Sequence, residues 1–239
     1  MKQKYDHIIS LGKFCGVAMD LERKGLRTAS YPFDWVISES LKSVLFLIKN
    51  NFMNFLSYEN LVQEKNPSYY WNSQTDIHFF HDFNSTASLS NQISSVQIKY
   101  QRRIDRFYKD IKEPTLFVRY CNDELEEDYI RTHGLDILQL LRSYNSRNQI
   151  LYIMGGECKF EVKDYGLVAY VKHPDGDIER NWINAVPNLK RMLYSSTTLS
   201  SWRILRNLYI HYRSRIKKRF FNKNVGLSAS IYRHEKQLS

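Results

Sequence analysis

Cysteine, glycine and proline are scarce in this chain of 239 residues, and acid is nearly missing from its last 39. Only three cysteines occur, at 15, 121 and 158, and no two form a C-x-x-C pair. That number and spacing give neither a disulfide framework nor a zinc site, and they suit a reducing compartment. Nine glycines and five prolines lie below ordinary usage, which excludes a collagen-like or Pro/Gly-rich disordered chain. No run of 18 or more apolar residues exists, so no membrane span is expected. The opening "MKQKYDHIISLG" has an apolar stretch too short for a signal peptide, and a cytoplasmic location is expected. No pair among the seven histidines has metal-ligand spacing, so neither a metal nor a cofactor is expected.

What is present reads as α/β. "HIIS" is a short apolar strand, Gly12 permits a turn, and Phe14, Val17, Ala18 and Leu21 recur at helical spacing up to a C-cap at Gly25. Leu41, Val44, Leu45, Ile48, Phe52 and Phe55 mark an amphipathic helix with Ser38 or Ser40 as N-cap. Residues 57–76 read as loop, "DIHFFHDF" (76–83) as a short strand, and 94–111 as a helix with Val96, Tyr100, Ile104, Phe107 and Ile111 inward. "TLFVRY" (115–120), "QILYIMGG" (149–156) and "GLVAYVKHP" (166–174) are further apolar strands. A helix runs between the first two, capped by Asn122 or Asp123 and open to interruption at Gly134. Strands separated by helices predict a mostly parallel sheet covered on both faces, a three-layer, Rossmann-like arrangement. Residues 1–200 form that domain, and 201–239 a separate basic tail.

Such sheets gather ligands at the carboxyl ends of their strands. Cys15, Asn122–Asp123 and Gly155–Gly156 all follow strand ends. Cys15 also falls in a first helical turn, where open N–H groups and the helix dipole favour an anion and hence a thiolate. A small buried residue packing helix against sheet is its plain alternative. Arg119 ends an apolar strand, and its guanidinium there suits a phosphate or carboxylate ligand, or a buried ion pair with Asp34 or Asp82. Asp34, among the aromatics of "YPFDW", must be paired or hydrogen-bonded if buried: it caps the following helix or is neutralised by Arg27.

The stretches "SLGKFC", "GLRTASYPFDWVIS", "FFHDF" and "KYQRRIDRF…LFVR" resemble a bacterial family of uncharacterised proteins described as papain-like cysteine peptidases. The resemblance spans roughly residues 5–190. It implies Cys15 as nucleophile, His81 as general base, and Asp82 or Asp34 orienting the imidazole or shaping the site. The strand-end reading adds Gly12, Asn122 and Arg119, together with Asp34, as expected substrate contacts. His81 and Asp82 also end a strand, and His173 is a fallback base. Backbone N–H groups after Gly12 would hold an oxyanion. The repeated strand–helix units differ from the antiparallel β-domain of a papain fold. Family members are thought to serve surface-polysaccharide gene clusters, so the implied substrate is a glycan or small molecule. The expected reaction is hydrolysis or group transfer through a covalent cysteine intermediate. The alternatives are transfer from an activated sugar with Cys15 structural, and a non-catalytic subunit of polysaccharide machinery.

The tail holds ten Lys/Arg against one acid, Glu235. Trp202, Leu205, Tyr209, Tyr212 and Ile216 form an apolar stripe between Arg203, Arg206, Arg213, Arg215 and Lys217, Lys218 and Arg219. A basic amphipathic helix of this kind suits an anionic membrane surface, which would place the protein at the inner membrane face. Packing of the stripe on the core is the alternative. Nucleic acid is disfavoured, because no recognition motif accompanies the charge.

Overall fold

In the computed structural model, residues 3–121, 123–172 and 181–213 are described. Five strands make the main sheet: β1 (His7–Ser10), β6 (Thr115–Tyr120), β7 (Gln149–Gly155), β9 (Gly166–Val171) and β8 (Lys159–Lys163), in the order β1-β6-β7-β9-β8. The first four are parallel, and β8 closes the far edge as an antiparallel partner of β9. Period-2 alternation divides each strand between two cores. Ile8, Leu116, Val118, Leu151 and Ile153 join one, and Ile9, Phe117, Ile150 and Tyr152 the other. The first core is covered by α1 (Cys15–Arg23), α5 (Trp182–Ala185) and α6 (Leu189–Ser196), through Val17, Leu21, Trp182, Ile183, Leu189 and Leu193. The second is covered by α2 (Leu41–Lys49), α3 (Leu89–Asp110) and α4 (Glu124–Arg142). The expected three layers are therefore present. Among the described residues no helix is long and apolar enough to cross a membrane.

A second sheet is an addition the sequence pattern did not reveal. β2 (Val36–Ser38), β5 (Ile77–Phe79), β4 (Tyr70–Asn72) and β3 (Leu61–Gln63) pair antiparallel in that order. Residues 57–76 are thus not a loop alone: they carry β3 and β4. The inner face of this small sheet, with Val36, Ile77, Phe79 and Tyr70, joins the second core beside α2 and α3. Ile37, Trp71 and His78 lie on its outer face and are half-buried.

Helix boundaries follow local chemistry. Ser40 caps α2, its hydroxyl accepting from the Ser43 N–H at 3.1 Å. Asp123 caps α4 in the same way, accepting from the Glu126 N–H at 2.8 Å. Gly134 does not interrupt α4; a Cβ there would lie 2.7 Å from Tyr165, so the missing side chain serves close packing. Gly25 (φ +68°) follows α1 in the left-handed region, as its C-cap position requires. A last helix, α7, runs over 201–213 and rests against that turn.

Candidate active site

The Cys15 turn stands on the carboxyl edge of the main sheet. After β1, the Leu11 N–H donates to the Val118 carbonyl, and the Gly12 carbonyl accepts from the Tyr120 N–H at 3.0 Å. The turn is thereby stitched to the end of β6. Gly12 has φ +88°, and a Cβ on it would lie 2.4 Å from Ser38 Oγ and 2.9 Å from Arg119 Nη1. Only glycine fits that corner. The Lys13 carbonyl accepts from the Ser38 N–H at 2.8 Å, which ties the turn to the end of β2.

Cys15 is the first residue of α1 and is half-buried. Its N-cap, Phe14, provides no side-chain hydrogen bond, and the first turn contains no acid. α2 and α4 differ, since Ser40 and Asp123 cap them. Phe14 itself thus places no acceptor at the start of α1. The Phe14 ring meets Tyr120 edge-on at 5.3 Å, which fixes the approach of the chain. Lys13 extends away to pair with Asp123 (2.8 Å) and Glu39 (3.6 Å). Burial opposes ionisation of Asp123, but the Lys13 ammonium and the Glu126 N–H together hold its carboxyl below the usual range.

Beneath the turn lies Arg119, fully buried. Its five N–H donors are all used: Nε and Nη2 to Glu126 (3.3 and 2.7 Å), Nη1 to the Leu11 carbonyl and Ser38 Oγ (2.9 and 2.6 Å), and Nη2 also to the Ser38 carbonyl (3.0 Å). No donor remains for a phosphate or carboxylate, so the expected substrate contact at Arg119 is corrected to an internal clamp. Its acid is Glu126, where the sequence offered Asp34 or Asp82. Glu126 also accepts from the Leu41 N–H at 2.5 Å, so one carboxylate joins β6, α4 and the start of α2. Cys121 is buried beside it; burial, with Glu126 adding to it, pushes its thiol well above the usual range.

The remaining candidates are placed elsewhere. Asp34 is buried and bound by Arg27 (2.8 Å) and the Tyr31 N–H (2.8 Å), so its role is structural. Asp82 pairs with Lys99 and accepts from the Tyr100 hydroxyl at 2.8 Å, so its described bonds run to α3. His81 is exposed in a bend beyond β5. Ser38, which touches the Cys15 turn, is paired with Ile77, and Val36 with Phe79. His81 therefore follows the end of β5 opposite the one paired with Ser38. Asn122, His173, Arg215, Lys217, Lys218 and Arg219 lie outside the described residues. Sequence reasoning passed over Lys13, Glu39 and Glu126; the signal available was Glu126 three residues after the Asp123 cap, one turn into a helix that starts at Arg119's strand end. A separate cavity of about 750 Å³, lined among others by His7, Arg106, Asp110 and Arg203, opens at the amino edge of the sheet and does not include Cys15.

A family model described as "Putative papain-like cysteine peptidase (DUF1796)" matches residues 6–151. The chain belongs to this family. The match runs from β1 into β7 and includes the Cys15 turn and the Arg119–Glu126 clamp, while β8, β9 and α5 to α7 lie beyond it. An uncharacterised protein of Acanthamoeba polyphaga mimivirus is 32% identical over 163 residues, covering 59% of this chain and 72% of that protein. No solved structure matches the chain. The family's description names cysteine peptidase chemistry, which supports a cysteine hydrolase.

Proposed function

We propose that the chain is a cysteine-dependent hydrolase or group transferase with Cys15 as its nucleophile. The observation that carries this reading is the placement of Cys15 as the first residue of a helix at the carboxyl edge of a parallel sheet, in a chain of this family. A helix N-terminus favours thiolate over thiol, which helps to form the nucleophile. The Cys15 sulfur attacks the carbonyl carbon of an ester or amide, and a C–S bond forms. The electron pair moves to the carbonyl oxygen, which backbone N–H groups of the first α1 turn stabilise. Collapse breaks the bond to the leaving alcohol or amine, which takes a proton from the medium. Water or an acceptor hydroxyl then attacks the thioester and regenerates the Cys15 thiolate. His81 is not assigned the base, because it sits past the far end of β5. Within this reading the substrate is an acylated surface glycan, an extension supported only by the sequence resemblance.

The test is intact-mass analysis after mixing the protein with a panel of nitrophenyl acyl esters and acetylated glycans. The reading predicts an acyl adduct on Cys15, and loss of turnover by at least about a thousandfold in Cys15→Ala, as removal of a covalent nucleophile gives. Turnover unchanged in Cys15→Ala would overturn it.

A further inference from the structure

We infer that the outward face of α7 is a docking surface for an anionic lipid bilayer. This rests on the C-terminal helix alone, lies beyond the family match, and is independent of the chemistry at Cys15.

The orientation of α7 is fixed by its other face. Ile204, Asn207, Leu208 and His211, spaced i, i+3, i+4 and i+7, turn toward the body of the protein. Asn207 donates to the carbonyls of Gly25 (3.0 Å) and Arg27 (3.4 Å), and His211 lies 3.4 Å from Glu22. The missing Cβ of Gly25 admits the backbone of α7, whose Ile204 carbonyl would stand 2.6 Å from it. The stripe expected either to pack on the core or to meet a membrane is therefore not the face that packs. Trp202, Leu205, Tyr209 and Tyr212 are 70%, 63%, 62% and 53% exposed. At 100° per residue these four span about 80° of the helix, on the half turned from the protein. A surface helix normally turns its polar face to water, and this one turns aromatic residues outward.

Charge decides between occupants. Arg203, Arg206 and Arg213 share the exposed half with the apolar row, and Arg206 lies over the Trp202 ring at 6.0 Å. The chain contains no acid between residues 201 and 234. A second copy would bring like charges face to face. An anionic bilayer supplies a continuous negative field for the arginines and an interfacial zone where tryptophan and tyrosine sit with one end apolar and one wet.

The experiment is flotation of the full chain with phosphatidylcholine vesicles, with and without phosphatidylglycerol, across a salt series. Wild type is expected to float only with the anionic vesicles and to release as salt rises. Trp202→Ser combined with Tyr209→Ser should weaken partition at least about tenfold, as should the triple variant Arg203→Gln, Arg206→Gln, Arg213→Gln. These side chains are exposed, so both variants should melt with wild type, which separates lost docking from lost folding. Absence of flotation at low salt would overturn the inference. So would flotation unchanged in the aromatic variant, because charge elsewhere in the tail would then carry it. Self-association in light scattering that the aromatic variant abolishes would instead assign the face to a second copy.

Discussion

At the scale of single residues, the strongest commitments are the buried charges. Glu126→Ala leaves Arg119 buried with two of its five bonds unmade and the Leu41 N–H without its acceptor. Breaking one side of a buried, fully bonded pair costs roughly 3–5 kcal/mol, and urea unfolding should register a loss of that size. Asp20 behaves in the opposite sense. It is fully buried, one oxygen accepts from the Ile183 N–H at 2.9 Å, and the other has no partner among the described residues. Burial pushes its carboxyl above the usual value, against the pull of that N–H and of Lys24 and Arg23. The folded state therefore holds the proton more tightly than the unfolded chain, and its stability falls as pH rises through that window. Wild type should accordingly gain stability relative to Asp20→Asn as pH drops from 7 toward 4, measured by thermal melts in a buffer series. A gap independent of pH would contradict this. Which acid meets Arg119 was not legible in the sequence, because Asp34, Asp82 and Glu126 all follow or precede strand ends. The choice depends on α4 folding back over β6, a tertiary fact. That Arg27 would neutralise Asp34 was legible, because both lie in one short irregular stretch.

At the scale of elements, the turn before α1 has the least tolerance. Gly12→Ala meets Ser38 Oγ and Arg119 Nη1 and forces a side chain into the left-handed region. A loss of about 2 kcal/mol or more is expected. Adding Ser38→Ala should recover only part of it, because the backbone strain remains; full recovery in chemical denaturation would show that the contact alone was responsible. The strands β1, β6, β7 and β9 were readable as continuous apolar runs, and the inward rows of α2 and α3 by their helical period. β3 and β4, three residues each, are too short to display alternation, and they sit in a polar stretch. β8 was hidden because an edge strand with exposed Val162 lacks a buried face. His81 shows how parity fails at an end. Continuing β5 would turn it inward with Phe79, but the strand stops at Phe79 and His81 enters a bend facing water.

Taken as a whole, the molecule separates two surfaces. The carboxyl edge of the main sheet presents Cys15 above a clamp of Arg119, Glu126 and Ser38, and the amino-terminal two-thirds that carries it is the part shared with the family. α7, outside that shared part, offers a basic aromatic face. The composition of the tail made that second surface legible, but only its docked orientation shows which face is left outward. The first rests on the reactivity of one thiol, and competition among the three cysteines tests it. Cys158 is exposed, Cys15 half-buried and Cys121 buried, so accessibility alone orders alkylation by iodoacetamide as Cys158, Cys15, Cys121. A nucleophile at a helix N-terminus reverses the first two. The account predicts that native protein at mildly acidic pH is modified first at Cys15, at a rate unchanged in His81→Ala. Labelling that follows exposure, with Cys158 ahead and Cys15 slow at every pH, would contradict it and reduce Cys15 to a packing residue between strand and helix.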